Sequence, residues 1–373
     1  MLRAAPTILQ VLPALESGGV ERGTVEIAQA VTQAGGVALV ASAGGRMVPQ
    51  LERVGGRHLP LALMTKDPLN IWLNSFALGR VIRRERVDLV HARSRGPAWS
   101  AYWAARRASV PFVTTWHGVY DENWPGKRLY NSVMARGDRV IAISRFVAER
   151  LRGLDVPEER IRLIPRGVDA ALFNPATVTG DRMHKLAQAW RLPAGAPVVM
   201  LPGRLTRWKG AELLLRAIAK LPDNDVFCVF VGGGDGLTRP LTRLAERLGL
   251  TGRVRLAGQC DDMPAALMLA DVVACPSTKP EPFGRTAIEA QALGRLVVAA
   301  DHGGLAETVV EGTGWRAPPG DVEAWAAAIG AALSLPAETR TEVSVAARAH
   351  VMEHYTVGAM QAATLAVYRE LLG

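Results

Sequence analysis

The chain has 373 residues, enough for two domains of ordinary size that each bury their own core. Hydrophobic residues make up 49% of it and charged residues 21%, which excludes a disordered or fibrous protein. The net charge is +9, and all of the excess lies in the first half: residues 1–180 hold 24 basic and 15 acidic side chains, whereas residues 181–373 hold 20 of each. We therefore expect a negatively charged partner at the N-terminal half.

Short β-branched runs alternate along the chain with longer segments of helical spacing. In the first half, strands are predicted at residues 7–12, 37–41, 87–91, 111–115 and 139–143. The alternation weakens through four prolines and then resumes, with strands predicted at 197–201, 226–231, 253–257, 271–275 and 296–300. This pattern predicts two doubly wound domains with parallel sheets.

The domain boundaries follow from the same pattern. The first domain is predicted at residues 1–172 and the second at 173–354. The last segment, 355–373, is apolar at helical spacing, and we expect it to form a helix that packs back on the first domain.

Several features favour a cytoplasmic location with only peripheral membrane contact. The N-terminus enters the first predicted strand without an apolar leader, and no run approaches the ~18 apolar residues that a membrane span requires. Cys228, Cys260 and Cys275 are widely spaced and lack His neighbours at metal-ligand spacing. We expect buried free thiols and no metal site.

In doubly wound domains, ligands bind beyond the carboxyl ends of the strands, so the loops after strands are the candidate sites. Gly18 and Gly19 follow the first strand and precede a helix, where backbone N–H groups can approach an anion. A tight turn without a ligand explains the same pair. His117 ends the strand at 111–115 and is either structural or a donor to a sugar hydroxyl.

Arg204 and Lys209 follow the first strand of the second predicted domain and precede a helix. Two cations in this position suit the charge and the acceptor oxygens of a diphosphate. The alternative is that both are merely solvated surface residues.

A second loop of the same domain carries the pair Glu281 and Glu289. Gly284 marks a helix start, so that Glu281 stays in the loop while Glu289 lies about one and a half turns inside the helix. Each carboxylate offers two acceptor oxygens to vicinal hydroxyls, and N–H groups near Phe283, Gly284 and Arg285 suit a phosphate. An ordinary helix with an acidic first turn is the alternative.

Two further motifs are rejected as sites. The glycine-rich stretch 232–236 does not fit GxGxxG, because Leu and Arg occupy positions 237 and 239, so no NAD site is expected. The Asp-Asn-Asp run at 223–225 precedes a strand rather than following one, which is typical of a solvated turn.

In this order, the motifs resemble those of retaining glycosyltransferases of family 4. The most specific mark is Glu281 and Glu289 with seven residues between them. The resemblance implies the GT-B fold, in which two Rossmann-like domains face a central cleft, with the acceptor on the first domain and a nucleotide sugar on the second. It implies that Arg204 and Lys209 bind the donor diphosphate, and that Glu281 with the amides of Phe283 and Gly284 holds the transferred sugar.

The same resemblance implies that Glu289 holds the ribose, that Gly19 supplies an amide to the phosphate, and that His117 contacts the sugar. The chain departs from the family pattern at two positions. Arg166 stands where asparagine is commoner, and Arg285 stands where an apolar residue is frequent.

More narrowly, the segments 164–169, 203–210, 260–264 and 301–304 are similar to lipopolysaccharide core mannosyltransferases of alphaproteobacteria. This similarity implies a hexose, mannose, transferred from GDP-mannose in preference to a UDP-sugar, to a lipid-linked core sugar. Neither a cofactor nor a metal is expected, because two cations neutralise the departing diphosphate.

One other function stays open, and no nucleic-acid partner is expected. A nucleotide-sugar 2-epimerase would use the same fold without an acceptor. A nucleic-acid-binding module is suggested only by the pI of about 9.9, and no zinc spacing, aromatic cluster or helix-turn-helix signal supports it. The N-terminal location of the charge predicts instead that the first domain docks on the anionic inner-membrane surface or on a phosphorylated glycolipid.

Overall fold

The structure, a computed structural model, describes residues 5–16, 18–120, 125–222, 225–234 and 236–373. The chain forms two compact units. Unit 1 consists of Met1–Arg166 together with Val357–Gly373, and unit 2 consists of Gly167–Thr356. The rejected run at 223–225 lies outside the described residues at Asp223 and Asn224, as does Asp235 of the glycine-rich stretch.

Unit 1 contains a parallel sheet of seven strands in the order β3-β2-β1-β4-β5-β6-β7. The strands are β1 (Thr7–Val11), β2 (Val37–Ser42), β3 (Arg57–Pro60), β4 (Leu89–Ala92), β5 (Phe112–Trp116), β6 (Arg139–Ala142) and β7 (Ile161–Leu163). The first helices are α1 (Gly19–Gln33), α2 (Val48–Arg53), α3 (Pro68–Arg84), α4 (Arg95–Ala108), α5 (Pro125–Ser132) and α6 (Arg145–Arg152).

Unit 2 contains a parallel sheet of six strands in the order β10-β9-β8-β11-β12-β13. The strands are β8 (Val198–Pro202), β9 (Phe227–Val231), β10 (Val254–Gly258), β11 (Val272–Cys275), β12 (Leu296–Ala300) and β13 (Trp315–Ala317). The helices are α7 (Gly180–Ala189), α8 (Ala211–Ile218), α9 (Thr238–Arg247), α10 (Met263–Met268), α11 (Arg285–Ala292), α12 (Gly303–Thr308), α13 (Val322–Leu333) and α14 (Ala337–His354).

The prediction of two doubly wound parallel-sheet domains is confirmed. The central strands are uniformly buried, as their continuous apolar runs require. Three strands were not predicted, namely β3, β7 and β13. Each is a short edge strand of three or four residues that lacks the apolar run of a buried strand, because an arginine interrupts β7 and β13 while β3 starts with Arg57 and His58.

The sheet order determines where ligands can bind in each unit. The order reverses at β1, which lies between β2 and β4, and again at β8, which lies between β9 and β11. Loops that leave the carboxyl ends of neighbouring strands at such a point form a crevice. The loops after β1 and β4, and those after β8 and β11, are therefore the candidate site-forming loops of the two units.

The C-terminal helix α15 (Val357–Leu372) belongs to unit 1 and packs on α1. Gln361 Nε2 donates a hydrogen bond to the Glu26 carbonyl at 2.7 Å, and Met360 and Val367 join the core that includes Ile27. The tail thus completes the hydrophobic layer on one face of the first sheet.

Two of the three cysteines are buried free thiols, as predicted. Burial raises the pKa of the Cys228 thiol and raises that of Cys275 to about 12. Cys260 is only partly buried, contrary to prediction, because it follows the edge strand β10 rather than lying within a central strand. None of the described helices is both long enough and apolar enough to cross a membrane.

Candidate active site

The loop that ends at Lys209 is held against the loop that follows β11. Gly210 has a φ of 78°, and a Cβ atom there would lie only 1.8 Å from the Pro276 carbonyl oxygen. The Trp208 carbonyl also accepts a hydrogen bond from the Thr278 amide at 2.7 Å. Only glycine permits this close approach, which brings Lys209 next to Glu281.

Lys209 and Glu281 form a partly buried ion pair. Lys209 Nζ lies 2.7 Å from Glu281 Oε1, and the two side chains are 18% and 12% exposed. The Ser277 hydroxyl donates to the same carboxylate oxygen. The charge of Glu281 adds to burial in raising the pKa of the nearby Cys275 thiol. The carboxylate is thus fixed in orientation by two donors.

The backbone around Glu281 is held by the start of α12. The Gly304 amide donates to the Glu281 carbonyl at 2.8 Å, and His302 Nε2 donates to the Ser277 carbonyl at 2.8 Å. A Cβ atom on Gly304 would lie 2.3 Å from the Phe283 Cα atom. The segment from Ser277 to Phe283 is therefore held in place by contacts with the start of α12 and with the loop that ends at Lys209.

Helix α11 begins directly after this clamped segment. Gly284 precedes the helix with a φ of 114°, and Phe283 is buried beneath it. Arg285 Nε and Glu289 Oε1 lie 3.5 Å apart one turn along the helix, with both side chains largely buried. The N-terminus of α11 presents backbone N–H groups and a positive dipole end, which suit an anion.

Arg204 differs from Lys209 in being exposed. Its loop lies against the glycine-rich stretch after β9, since the Leu205 amide donates to the Gly233 carbonyl at 3.0 Å. A Cβ atom on Gly232 would lie 2.1 Å from the Gly203 carbonyl oxygen. The glycines of this stretch therefore allow the two loops to pack closely. This packing explains the composition of the stretch, and no dinucleotide-binding site is needed to account for it.

In unit 1, Gly18 precedes α1 with a φ of 143°, and the Arg22 amide donates to its carbonyl at 3.1 Å. Gly19 is the first residue of α1, so its amide lies at the positive end of the helix dipole. This is the position predicted for both glycines from the sequence; Ser17 beside them lies outside the described residues.

His117 follows β5 and contacts Arg166. Arg166 Nη2 lies 3.1 Å from His117 Nδ1 and donates to the Gly19 carbonyl at 2.9 Å. Burial lowers the pKa of His117 well below its usual value, and the neighbouring charges of Arg166 and Arg93 lower it further. The imidazole is therefore neutral at neutral pH.

Arg93 and His91 complete this cluster beneath α1. Arg93 is 3% exposed and Arg166 is 5% exposed, and a Cβ atom on Gly23 would overlap both guanidinium groups. His91 lies between the Tyr368 hydroxyl at 2.6 Å and the Thr115 hydroxyl at 2.7 Å. Burial is the main cause that lowers the pKa of His91 and of Arg93.

Sequence reasoning missed several residues of both clusters. Ser277 lies in no motif, and His302 is noted only as part of the segment 301–304; the roles of both depend on loops that converge only in three dimensions. Arg93 and Arg166 look like ordinary surface cations in a basic half. The one available signal was Arg166, which replaces a commoner asparagine.

The side chains of Lys209 and Glu281 and the N-terminus of α11, together the unit 2 cluster, can bind an anionic, polyhydroxylated ligand. An ammonium group has three N–H donors, and Glu281 uses one of those of Lys209, so a phosphate can be bound without breaking the ion pair. No group of three or more His, Cys, Asp or Glu side chains among the described residues is placed to hold a metal ion.

Comparison with known proteins agrees with this chemistry. Residues 17–172 match the family described as Glycosyltransferase Family 4, and residues 183–350 match the family described as Glycosyl transferases group 1. The two matches divide between the two units of the fold.

Two curated relatives are D-inositol 3-phosphate glycosyltransferases. The protein of Salinispora tropica is 36% identical over an alignment of 323 residues, and the match covers 76% of this chain and 66% of that protein. The protein of Mycobacterium bovis is 34% identical over an alignment of 338 residues, and the match covers 84% of this chain and 69% of that protein. The chain thus spans about two thirds of the length of these relatives.

Solved structures are similar over nearly the whole chain. A glycosyltransferase from Rickettsia africae is 35% identical with a TM-score of 0.89, and the match covers 98% of both chains. HepE from Anabaena, in complex with UDP and glucose, is 26% identical with a TM-score of 0.85, covering 98% of this chain and 100% of that one. WaaG, a glycosyltransferase involved in lipopolysaccharide biosynthesis, shares the fold at 16% identity, with a TM-score of 0.75 and coverage of 96% and 99%.

The predicted membership of glycosyltransferase family 4 is confirmed by these matches, and they give no support to an epimerase. The chain belongs to the glycosyltransferases of GT-B fold that join a family 4 N-terminal region to a group 1 C-terminal region.

Proposed function

We propose that this glycosyltransferase transfers a hexose from a nucleoside diphosphate sugar to a cell-envelope glycolipid, such as lipopolysaccharide core, with retention of configuration. The observation that carries the proposal is the Lys209–Glu281 ion pair beside the N-terminus of α11. At this place a cation and the amides of a helix N-terminus lie beside a fixed carboxylate. The cation and the amides suit a diphosphate, and the carboxylate suits sugar hydroxyls.

The proposed roles follow from position. Arg204 and Lys209 bind the donor diphosphate, Glu281 with the Phe283 and Gly284 amides holds the transferred sugar, and further residues complete the site. Those residues are Glu289 for the ribose, Arg285 beside it, Gly18 and Gly19 for a phosphate, and His117 for a sugar hydroxyl.

The proposed chemistry is front-face displacement. The bond between the sugar C1 and the diphosphate oxygen breaks, and a bond from C1 to the acceptor oxygen forms on the same face. The leaving phosphate oxygen takes the proton of the acceptor hydroxyl, and Lys209 and Arg204 stabilise the departing charge without a metal. Glu281 is a poor candidate for a nucleophile, because one of its oxygens already accepts from Lys209 and Ser277.

Two donors are candidates. GDP-mannose is the donor proposed from the sequence resemblance. A UDP-hexose is the second candidate, because the Anabaena relative was solved with UDP and glucose. The names of the curated relatives also favour an acceptor that carries a phosphate group.

The test is a panel of nucleotide sugars incubated with the full chain, with and without lipopolysaccharide core acceptors. We expect one donor to be consumed with release of its nucleoside diphosphate, in the presence of a chelator, and an α-linked product from an α-linked donor. An inverted product would contradict retention, loss of turnover with chelator would contradict metal independence, and turnover of a UDP-sugar alone would overturn GDP-mannose.

A further inference from the structure

Exposed apolar side chains are concentrated on one helix of unit 1. Of the large apolar side chains that are exposed among the described residues, half lie between Met64 and Phe76. They are Met64 at 69% exposure, Leu69 at 62%, Trp72 and Leu73 at 49% each, and Phe76 at 39%. A cluster of this kind on a protein surface indicates a binding face.

The last four of these side chains form a stripe along the outer face of α3. Leu69, Trp72, Leu73 and Phe76 are spaced by three, four and seven residues from the first, so they share one side of the helix. The rings of Trp72 and Phe76 pack edge to face with centroids 4.7 Å apart. The opposite face is buried, so the stripe is not needed for packing within unit 1.

Basic side chains continue the stripe toward the end of the helix. Arg80 and Arg83 lie on the outer face after Phe76, and Arg107 of α4 stacks over the Phe76 ring at 4.5 Å. These three arginines and Phe76 line one groove. Helix α3 itself has no acidic residue; its N-cap Asp67 accepts from the Asn70 amide, and its C-cap Glu85 is paired with Arg57 and Arg84.

We propose that α3 lies in the plane of an anionic lipid bilayer. The apolar stripe enters the boundary between headgroups and acyl chains, and the groove between Arg80, Arg83 and Arg107 takes lipid phosphate groups. A helix with an apolar half and a cationic half matches such a surface, and tryptophan suits the interface in particular.

Charge complementarity selects the bilayer over a second copy of this chain. Two copies joined by the same stripe in a symmetric contact would bring their arginines to one interface, where like charges oppose association. An anionic bilayer instead supplies negative charge to these three arginines, which form no ion pair among the described residues, since Glu85 at the end of α3 is paired with Arg57 and Arg84. The proposal places the N-terminal excess of positive charge on a defined surface.

The test is flotation of the full chain with vesicles of phosphatidylcholine alone or with added phosphatidylglycerol. We expect binding only to the anionic vesicles, with loss at high salt. Each basic residue near such a surface contributes ~1 kcal/mol, so Arg80→Gln with Arg83→Gln should weaken binding about 25-fold. Trp72→Ser with Leu73→Ser should weaken it to a similar or greater degree.

Two exposed apolar residues outside the stripe serve as matched controls. Val345→Ser and Leu163→Ser, at 63% and 45% exposure, should leave vesicle binding unchanged. Unchanged melting temperatures would show that the variants fold. Binding that is equal in all variants, or a dimer in solution that Trp72→Ser dissociates, would overturn the proposal. Because vesicle binding needs no nucleotide sugar, this test can fail independently of the proposed transfer reaction.

A different observation carries a second inference, at His117. Arg166 Nη2 contacts His117 Nδ1 at 3.1 Å, and a guanidinium group can only donate. Nδ1 must then accept, which leaves the proton of the neutral ring on Nε2. Nε2 is itself buried and has no hydrogen-bond partner among the described residues.

The geometry points to Arg166 as a positioning residue that holds His117 as an Nε2–H donor for a bound ligand. Arg166 also binds the Gly19 carbonyl at 2.9 Å, so it ties the imidazole to the first turn of α1. The groups that face the ring are Arg166, Arg93 and His91, and all three disfavour its protonation. That the ligand is the transferred sugar rests on the proposed function.

Nitrogen-15 NMR of the imidazole rings tests this inference directly, with His117→Gln used to assign the signal. We expect the neutral Nε2–H tautomer in the wild-type chain from pH 6 to pH 8. In Arg166→Gln we expect a mixture of tautomers and a higher pKa for His117, which a purely structural arginine would not produce. An Nδ1–H tautomer or a protonated ring at pH 7 in the wild type would overturn it, whether or not the variant folds.

Discussion

The candidate sites of the two units handle charge in opposite ways. In unit 2, Lys209 is paired with Glu281 and Arg285 lies beside Glu289, so cations and carboxylates alternate. In unit 1, two nearly fully buried arginines lie beside a histidine that is kept neutral. On the proposed roles, unit 2 is organised around the charge of a ligand, whereas unit 1 offers the ligand a neutral hydrogen-bond donor, His117, beside two buried positive charges.

The two halves of the chain also differ in net charge. The first half of the chain carries the whole net charge of +9, and α3 presents arginines beside an exposed apolar stripe. The second half is balanced, with 20 basic and 20 acidic side chains. We therefore propose that unit 1 provides electrostatic attraction to a surface and that unit 2 recognises a charged small molecule.

The largest expected effect is on Lys209. Lys209→Ala removes a partly buried cation that would stabilise the departing diphosphate, and donors of this kind are worth about 10²–10³-fold in turnover. We expect a loss of that size in kcat with the assigned donor. The matched control is Lys220→Ala, which removes an exposed cation paired with Glu323 and should leave turnover unchanged. Equal turnover in Lys209→Ala would remove Lys209 from the mechanism.

The substitution Glu281→Gln separates the role of Glu281 from that of its ion-pair partner Lys209. We expect kcat to fall roughly 10²-fold, because a charged acceptor for the sugar is lost. Affinity for the free nucleoside diphosphate should stay the same or increase, because Lys209 is no longer neutralised. Calorimetric titration with GDP and UDP measures this affinity. A parallel loss of diphosphate affinity would show that Glu281 only supports the fold.

Gly210→Ala tests the close approach that forms the unit 2 site. The new Cβ atom would overlap the Pro276 carbonyl, and the residue would keep a positive φ, so we expect the free energy of unfolding to fall by about 3 kcal/mol or more. Gly249→Ala is the control, since Gly249 has a φ of 71° and open space around its Cβ position. It should cost only about 1 kcal/mol. Equal costs in thermal unfolding would contradict the packing argument.

A smaller effect is expected from pH on unit 1. The pKa values of His91 and His117 are lower in the folded than in the unfolded chain, so the unfolded state binds more protons as pH falls below about 6.5. Stability should be highest above pH 6.5 and decline toward pH 5. In His117→Gln the decline measured by chemical denaturation should be shallower. An unchanged slope would show that His117 protonates freely in the folded state.

Much of the fold was predictable from sequence. The central strands carry continuous apolar runs, and glycines mark the starts of α1 and α11, so their order and the loops that follow them could be derived. The edge strands β3, β7 and β13 could not, because partly exposed strands of three or four residues do not need such runs.

The candidate site was predictable in part. The loop positions of Arg204, Lys209 and Glu281, and the position of Glu289 inside a helix, follow from local pattern. The pairing of Lys209 with Glu281 does not, because it depends on the approach of Gly210 to Pro276, 66 positions further along the chain. The place of Arg93 and Arg166 in the unit 1 site could not be predicted for a related reason, because tertiary packing decides whether a basic side chain is buried.

The central claim is that the Lys209–Glu281 cluster of unit 2 binds and activates a nucleoside diphosphate sugar. The most direct measurement is release of nucleoside diphosphate from a panel of GDP- and UDP-hexoses by the wild-type chain, Lys209→Ala and Lys220→Ala. The account predicts turnover of at least one donor that is retained in Lys220→Ala and reduced at least about 10²-fold in Lys209→Ala. Turnover that is equal in all three chains would contradict it, as would a wild-type chain that consumes no nucleotide sugar with any acceptor.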